Sequence, residues 1–420
     1  MSIKLNYGRR SLTLDLAMLR DPAIVAGHPA DAVADPRSAV LEAMSQPAGC
    51  MSLADEVRYR RARKAVIIVN DITRPTPYDI MLPPILDELA VAGICDENIC
   101  FLIATGIHRA MAPDEIAAML GQELTCRFRA INHDCDDSAN LIYLGTLSHG
   151  TDFCVNRAAL EADIVVGTGI ITPHYFAGFS GGRKSILPGV AARRSISHNH
   201  SLMTSEHATA CSVSANPVSQ EMMEAARMAG LDFILNVVVD AEGRVCAAVA
   251  GDMEEAWLNG VSICQECSAV RIDHVYDVTV AGAGGTPKDI NVYQAQKALE
   301  NAQRAVRPGG TVILVAECTE GYGESRFEEW MKGSASPEDV LRRFAQGFEL
   351  GGHKAYSLAR VVLQKDVILI STLPDHVVGS LFMTPAHSME EAVALVKQKH
   401  GEHFTAIVFP NASAMVPVLK

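Results

Sequence analysis

Several side chains that could take part in catalysis or ligand binding lie close together between Ile170 and His200. This segment contains His174, a Gly-Gly turn, Lys184 and His198. A lysine held in a partly dry pocket can lose its charge and become a nucleophile. His198 and His200 are two residues apart and cannot share one helix face, so one could ligate a metal ion while the other faces elsewhere. The segment is therefore more typical of an active site than of a surface loop rich in Lys, Arg and His.

Two shorter motifs directly follow apolar runs. Asp71 to Arg74 comes after Lys64–Asn70, and Arg74 could bind a carboxylate or a phosphate through two nitrogens. His108 comes shortly after Ile99–Ala104 and could act as a general acid or base near neutral pH. The plain alternatives are a turn with an exposed arginine and a hydrogen-bonded loop histidine.

A third candidate group lies in the second half of the chain. Asp289 could cap a helix that carries Gln294 and Lys297, which are three residues apart and so share a face. Lys297 could pair with an anion at that face. A solvated lysine on an amphipathic helix is the plain alternative.

Alternating strands and helices position these residues. Buried strands are predicted where apolar runs end just before the motifs, at Lys64–Asn70, Ile99–Ala104, Asp163–Gly167 and Val275–Ala281. This βα repetition predicts two α/β domains with largely parallel sheets and a boundary near residue 270. Ligands in such folds bind at the carboxyl ends of strands, which is where the candidate residues stand.

Composition excludes several classes of partner. The formal net charge is −13 and no run of basic residues exists, so nucleic acid is not an expected partner. The longest apolar runs are far shorter than the roughly 20 residues that span a bilayer, so no membrane contact is expected either. Eleven scattered cysteines fit a reducing compartment, and the predicted location is cytoplasmic.

Two near matches to nucleotide-binding motifs are rejected. Gly178–Ser185 resembles a P-loop, but Arg183 stands where the phosphate cradle needs glycine. Gly282–Pro287 resembles a dinucleotide fingerprint, but Pro287 replaces its third glycine. ATP and NAD are therefore not expected at these turns.

With these residues in view, the chain resembles the nickel-dependent lactate racemase family over nearly its whole length. The resemblance rests on Asp71–Pro77 (DITRPTP), Thr105–Arg109 (TGIHR), His174–Gly189 (HYFAGFSGGRKSILPG), Asn199–His200 and Gly284–Lys297 (GGTPKDINVYQAQK). It implies a cofactor-binding N-terminal α/β domain (1–270), a smaller C-terminal α/β domain (271–404) and a tail (405–420) that returns to the first domain. The active-site cleft would lie between the domains.

The resemblance also implies a cofactor and a role for each site residue. The cofactor is a nickel pincer, a pyridinium-3,5-bisthiocarboxylic acid mononucleotide, made by separate cofactor-synthesis enzymes. Lys184 would hold it covalently and His200 would be the protein ligand of Ni(II), for which a soft planar donor set is suitable. The remaining roles would be as follows: cofactor contacts from Asp71, Thr73 and Arg74, acid and base from His108 and His174, and substrate binding by Arg74, Gln294 and Lys297.

The family reaction inverts C2 of a 2-hydroxyacid. Its route removes the C2 hydrogen as hydride while one histidine takes the hydroxyl proton, which gives a flat 2-keto acid. Hydride can then return to either face. Two histidines on opposite faces would serve the two enantiomers.

Two alternatives of other kinds stay open at this point. Lys184 could be the Schiff-base lysine of an aldolase or dehydratase, or the chain could be a non-catalytic protein that binds hydroxyacids or sugar acids. Within the family, the substrate could be lactate, malate, a longer or aromatic hydroxyacid, or a sugar acid. The sequence does not give the oligomeric state.

Overall fold

The computed structural model describes residues 1–25, 32–240 and 242–419. The strands in these ranges are β1 (Ser2–Tyr7), β2 (Arg10–Asp15), β3 (Ala23–Ile24), β4 (Ala65–Asn70), β5 (Ile99–Ala104), β6 (Arg129–Asn132), β7 (Leu141–Thr146), β8 (Asp152–Asn156), β9 (Ile164–Ile171), β10 (Pro173–His174), β11 (Gly178–Phe179), β12 (Phe233–Val239), β13 (Val245–Gly251), β14 (Ala269–Ile272), β15 (Tyr276–Gly282), β16 (Val306–Val315), β17 (Asp366–Ile370), β18 (Thr384–Ala386), β19 (Ala406–Phe409) and β20 (Val416–Leu419).

The α-helices are α1 (Pro36–Ser45), α2 (Leu53–Arg60), α3 (Tyr78–Val91), α4 (Pro113–Leu120), α5 (Gln122–Arg127), α6 (Arg157–Leu160), α7 (Arg193–Ser201), α8 (Pro217–Met228), α9 (Glu255–Ser268), α10 (Val292–Ala302), α11 (Ser325–Lys332), α12 (Pro337–Phe344), α13 (Gly352–Gln364), α14 (Asp375–Ser380) and α15 (Met389–His400). A short 3-10 helix at Gly182–Ser185 carries the candidate lysine. No helix in the described ranges is long and apolar enough to cross a membrane.

The chain divides into two compact units, each with its own six-stranded sheet. One unit is Pro29–Cys267, and the other combines Met1–His28 with Ser268–Lys420. Both sheets are largely parallel, which confirms the predicted fold class. The division after Cys267 lies close to the expected boundary at 270, but the two ends of the chain lie in a different unit from the one expected.

Strand pairing explains why both ends join the second unit. β19 is buried along its whole length and pairs with β15 on one side and β3 on the other. A strand of that kind needs a neighbour on each edge, and β15 supplies one from the second sheet. The N-terminal hairpin β1–β2 places Leu5 and Leu14 in the same core as Val278 and Val408. The tail 405–420 was expected in the first domain, whereas its strands β19 and β20 pair within the second unit.

The sheet of the Pro29–Cys267 unit runs in the order β13-β12-β9-β4-β5-β6. Its pairs are parallel except β12–β13, so β4, β5 and β9 end at one edge of the sheet. The apolar run AVIIV of β4 is fully buried at the centre of this sheet, as expected for a strand covered on both faces. The candidate residues after β4, after β5 and after β9 therefore start from the same edge.

The sheet of the second unit runs in the order β18-β17-β16-β15-β19-β3, and all its pairs are parallel. The loop after β15 leads into α10, whose N-cap is Asn291. α10 ends at Ala302, and Val306 already begins β16, where it pairs with Tyr276.

Gly178, in the segment that carries His174 and Lys184, provides a stability test of the fold. Its φ is +76°, and a Cβ there would lie 2.1 Å from the Ser212 carbonyl oxygen. We expect Gly178→Ala to destabilise the protein by about 2 kcal/mol or more, since it adds a backbone clash to left-handed strain. The matched control is Gly230→Ala, at φ +70° with no atom within 4 Å, which should cost only about 1 kcal/mol. Urea unfolding midpoints that fall equally in both variants would contradict this.

Candidate active site

The turn after β4 is organised by a buried carboxylate. Asp71 Oδ1 accepts hydrogen bonds from Thr73 N at 3.1 Å and Thr73 Oγ1 at 2.5 Å. Arg74 Nη1 donates in turn to Thr73 O and Oγ1, both at 3.2 Å, and the Arg74 side chain is exposed. Asp71, Thr73 and Arg74 of the DITR motif therefore form one hydrogen-bonded turn, in which Asp71 is buried and Arg74 is exposed.

His108 is paired with this carboxylate from the loop after β5. His108 Nδ1 lies 2.5 Å from Asp71 Oδ2, and 38% of the His108 side chain is exposed against 5% of Asp71. Burial would raise the pKa of Asp71, but the hydrogen bonds from His108 and Thr73 outweigh it and lower that pKa. An ionised carboxylate only accepts hydrogen bonds. In neutral His108, Asp71 therefore fixes the proton on Nδ1 and leaves Nε2 as the unprotonated nitrogen.

His174 is the last residue of β10, and the proton of its neutral ring lies on the opposite nitrogen from that of His108. Ala177 N donates to His174 Nδ1 at 3.3 Å, and a backbone N–H can only donate. In neutral His174 the proton is therefore on Nε2. His108 thus offers a base at Nε2, whereas His174 offers a hydrogen-bond donor there.

Phe176 links three of the candidate residues. Its buried ring lies 4.6 Å from the His174 ring and 5.0 Å from the His200 ring, measured between centroids. Lys184 Nζ lies 5.9 Å from the centre of the same ring. His174, Lys184 and His200 are thus gathered around one aromatic side chain within the Pro29–Cys267 unit.

Lys184 is an amine with an unusual electrostatic environment. Burial, Arg74 and Arg183, in that order, lower the pKa of Lys184 well below its usual value. The effect of Arg74 ties the turn after β4 to the Lys184 turn. Gly106 N also donates to Gly189 O at 3.0 Å, which joins the His108 loop to the chain just after Lys184. The segment that carries Lys184 therefore contacts the His108 loop, and Phe176 links Lys184 to His174.

His200 lies on α7, which a buried glutamate holds in place. Glu221 of α8 accepts hydrogen bonds from Asn199 Nδ2 at 3.1 Å and from Thr151 Oγ1 at 2.5 Å. His198 Nδ1 lies 2.8 Å from the same Thr151 hydroxyl. His198 thus faces Thr151 while His200 faces Phe176, so the two histidines point to different partners, as their spacing predicts.

Gln294 and Lys297 lie in the other unit, near the start of α10. Both side chains are exposed, and Gln294 N donates to the N-cap Asn291 Oδ1 at 2.9 Å. The fully buried Asp289 does not cap α10 as expected, because Asn291 is the N-cap of that helix. Asp289 Oδ2 instead accepts from Gly8 N at 2.6 Å and Glu317 N at 3.2 Å.

A group of metal-ligand types also occurs at Asp134, Cys135 and Asp136, with ligand atoms within 4.8 Å of one another. Asp134 and Asp136 are exposed, and Asp136 forms an ion pair with Arg193 at 2.7 Å. The exposed carboxylates and this ion pair are typical of a solvated turn.

Three side chains that support the site were not singled out from the sequence. Phe176 packs against the candidate histidines, Glu221 accepts a hydrogen bond from Asn199, and Trp257 stacks on Arg183. Phe176 falls inside the motif HYFAGFSGGRKSILPG, so the motif itself could have indicated it. Glu221 and Trp257 lie on α8 and α9, and nothing local in the sequence marks them.

Comparison with known proteins identifies the family. Residues 7–212 match the model of the lactate racemase N-terminal domain, and residues 272–416 match that of the lactate racemase C-terminal domain. A lactate racemase from Thermoanaerobacterium thermosaccharolyticum is 34% identical over 424 residues, which cover 99% of each chain. A lactate racemase from Lactiplantibacillus plantarum is 32% identical over 385 residues, which cover 90% of each.

Solved structures agree with these matches. The lactate racemase apoprotein of T. thermosaccharolyticum superposes with a TM-score of 0.89 at 32% identity over 100% of both chains. A protein from Thermotoga maritima, at 19% identity, has a TM-score of 0.63 over 88% of this chain and 98% of its own, and so shares the fold. Racemases are isomerases, and this chain is an enzyme of that class. The chain belongs to the lactate racemase family.

Proposed function

We propose that this enzyme inverts C2 of lactate or a closely related 2-hydroxyacid, with a nickel pincer nucleotide attached to Lys184. One observation carries the proposal within this family: Phe176 gathers His174, Lys184 and His200, and the hydrogen bond from Gly106 N to Gly189 O joins the His108 loop to the chain just after Lys184. The residues proposed as attachment lysine, metal ligand and acid–base pair thus lie in one connected cluster.

The residues present fit the proposed cofactor. The lowered pKa of Lys184 favours an unprotonated amine, which is the form that can bond to a carboxyl-derived arm. An imidazole nitrogen is a suitable ligand for Ni(II), and His200 offers one beside Phe176. Lys184 would hold the group covalently and His200 would ligate its metal. Thr73 and Arg74 would contact it from the turn built around Asp71. When bound, the group supplies an acceptor for the C2 hydrogen as hydride.

The two histidines divide the proton transfer. His108 Nε2, whose opposite nitrogen donates to Asp71, takes the proton of the substrate hydroxyl. His174 donates Nε2–H to the oxygen of the flat keto acid and gives that proton to the product hydroxyl as hydride returns. For this step its ring carries a second proton on Nδ1 and has released Ala177 N, so the proton gained by His108 balances the one lost by His174. In the opposite direction the histidines exchange roles, which requires the His174 ring to release Ala177 N and carry its proton on Nδ1.

The substrate carboxylate needs a cation to orient it. Arg74 is exposed and its guanidinium is hydrogen-bonded to Thr73 alone among the described residues, so its fork is available for a carboxylate. Fixing that end of a small acid determines which face of C2 meets each histidine. For Gln294 and Lys297, the proposed role in substrate binding rests on the family motif.

The test is a stereochemical screen of the protein produced together with the cofactor-synthesis enzymes and nickel. Single enantiomers of lactate, malate, 2-hydroxybutyrate, phenyllactate and sugar acids are offered in deuterated water, and inversion is followed by chiral chromatography. We expect inversion of lactate or a near relative, dependent on nickel and accompanied by the cofactor mass on the Lys184 peptide. Protein that carries this mass but inverts none of the acids would contradict the proposed substrate class.

The lowered pKa of Lys184 would equally suit a Schiff-base enzyme. Borohydride treatment in the presence of pyruvate separates the two functions, because it fixes an imine on lysine as a stable secondary amine. We expect no such product. Trapping of pyruvate on Lys184 would favour an aldolase or dehydratase instead.

A further inference from the structure

Arg183, the neighbour of Lys184, is a fully buried cation held in an unusual way. Its Nη2 donates to Ala177 O at 2.9 Å, Phe179 O at 3.4 Å and Ser219 Oγ at 2.9 Å. Its guanidinium carbon lies 3.7 Å from the centre of the Trp257 ring. Three neutral acceptors at one nitrogen and one aromatic face are therefore the groups that stabilise the charge.

No carboxylate neutralises Arg183 within the part of the chain that the structure describes. Its Nε and Nη1 are buried without a hydrogen-bond partner, and burial lowers the pKa of Arg183 to about 9. Leaving a buried charge without a counter-ion is costly, so most proteins pair such a group or exclude it. A buried, unpaired cation that is retained despite this cost indicates that the charge has a function close to its position.

The same contacts fix the turn that carries Lys184. Trp257 Nε1 donates to Ser180 O at 3.0 Å, and Gly182 N donates to Asn236 Oδ1 at 2.7 Å. A Cβ on Gly182 would lie 2.7 Å from the Trp257 ring, so only glycine lets the turn approach that ring so closely. Arg183 and Trp257 thus clamp the chain on the N-terminal side of Lys184.

We propose that Arg183 is a positioning residue, which holds the Gly182–Ser185 turn in place and, as a buried cation beside Lys184, keeps the Lys184 amine unprotonated for attachment of the cofactor. The inference rests on the proposed function in one respect, namely that Lys184 is the attachment site. A second ammonium beside a fixed guanidinium is repelled, so the neutral amine is favoured.

The charged groups that act on Lys184 come from two elements. Arg183 lies on the same turn and Arg74 on the turn after β4, and both lower the pKa of Lys184 in addition to burial. His174 and His200 contact Phe176, the ring beside the amine. Asp71, the nearest acid on the turn of Arg74, is engaged by His108 and Thr73.

The first measurement uses cofactor-free native protein. Brief labelling with acetic anhydride over a series of pH values, read by peptide mass spectrometry, gives the midpoint at which each lysine becomes reactive. Exposed Lys64 is the internal reference. We expect Lys184 to become reactive at a clearly lower pH than Lys64. Equal midpoints in the native protein would overturn the proposal without any variant.

Two matched variants separate charge from packing. Arg183→Met removes the charge and keeps an unbranched side chain, and we expect it to raise the Lys184 midpoint by about one pH unit, which lowers reactivity near neutral pH about tenfold. Arg183→Gln also lacks the charge but can still donate a hydrogen bond to the acceptors of Nη2, so we expect the same rise of the midpoint. A midpoint unchanged in Arg183→Met, or raised in Arg183→Met but not in Arg183→Gln, would overturn the electrostatic role.

The positioning role has its own readout. When produced with the cofactor-synthesis enzymes, Arg183→Lys should carry severalfold less cofactor on Lys184 than native protein, because its turn is less firmly held. Full loading of this variant would overturn positioning. Labelling needs no cofactor, so its outcome stands even where native protein shows neither cofactor nor racemisation, a result that would contradict the proposed function alone.

Discussion

Lys184→Ala protein produced with the cofactor-synthesis enzymes and nickel should show no cofactor mass and no racemisation above background. The alanine side chain has no amine, so the proposed covalent link cannot form. We expect the loss to be complete, because amino-acid side chains do not accept hydride and the proposed route removes the C2 hydrogen in that form. Intact-mass spectrometry and chiral chromatography of lactate on the same preparation measure both effects.

Two further substitutions make this result specific. Lys64→Ala removes an exposed lysine outside the site and should leave both cofactor mass and racemisation as in the native chain. Lys184→Arg keeps a positive charge but its guanidinium is a very poor nucleophile, so it should fail like alanine. Cofactor mass retained on Lys184→Ala protein would show that another residue forms the link.

The position of most site residues could be predicted from the sequence because strand ends determine it. Asp71 follows β4, and His108 and His174 follow β5 and β9, whose parallel order brings their carboxyl ends to one edge. Short apolar runs and the loops after them are local features, so a single sequence reveals them.

The contacts that arrange the site could not be predicted in this way. Glu221 reaches Thr151 across 70 positions of sequence, and Trp257 reaches Ser180 across 77. Such contacts depend on how helices pack on the sheet, and neither residue type nor spacing encodes that locally. The N-terminal hairpin and the tail were expected in the first domain but lie in the second unit for the same reason. Their place depends on strand pairing between segments that are distant in sequence.

The sequence also does not show which ring nitrogen of a histidine carries the proton. Both His108 and His174 were expected to act as acid and base, but only their hydrogen-bond partners distinguish them. Asp71 accepts from one ring and Ala177 N donates to the other, which gives the pair complementary starting states. A sequence motif does not indicate which nitrogen of each ring carries the proton.

Replacing His108 by glutamine should lower kcat for racemisation by about 10²–10⁴-fold while the cofactor mass on Lys184 stays unchanged. Glutamine fills a similar volume but cannot take the hydroxyl proton. His174→Gln should cause a loss of the same order. Single-enantiomer progress curves measure both directions, and wild-type rates in either variant would remove that histidine from the proposed acid–base pair.

Asp71→Asn is the sharpest test of the tautomer argument, because it leaves both histidines in place. An asparagine amide can present either its oxygen or its NH₂ group to Nδ1 of His108, so the proton is no longer fixed there. With the proton on Nε2, His108 cannot act as a base, and kcat should fall although His108 itself is intact. If racemisation by Asp71→Asn protein stays at the native rate with the same cofactor loading, the carboxylate does not set the tautomer. A fall in kcat accompanied by loss of cofactor mass would instead assign Asp71 to cofactor binding, and the two readouts together distinguish these roles.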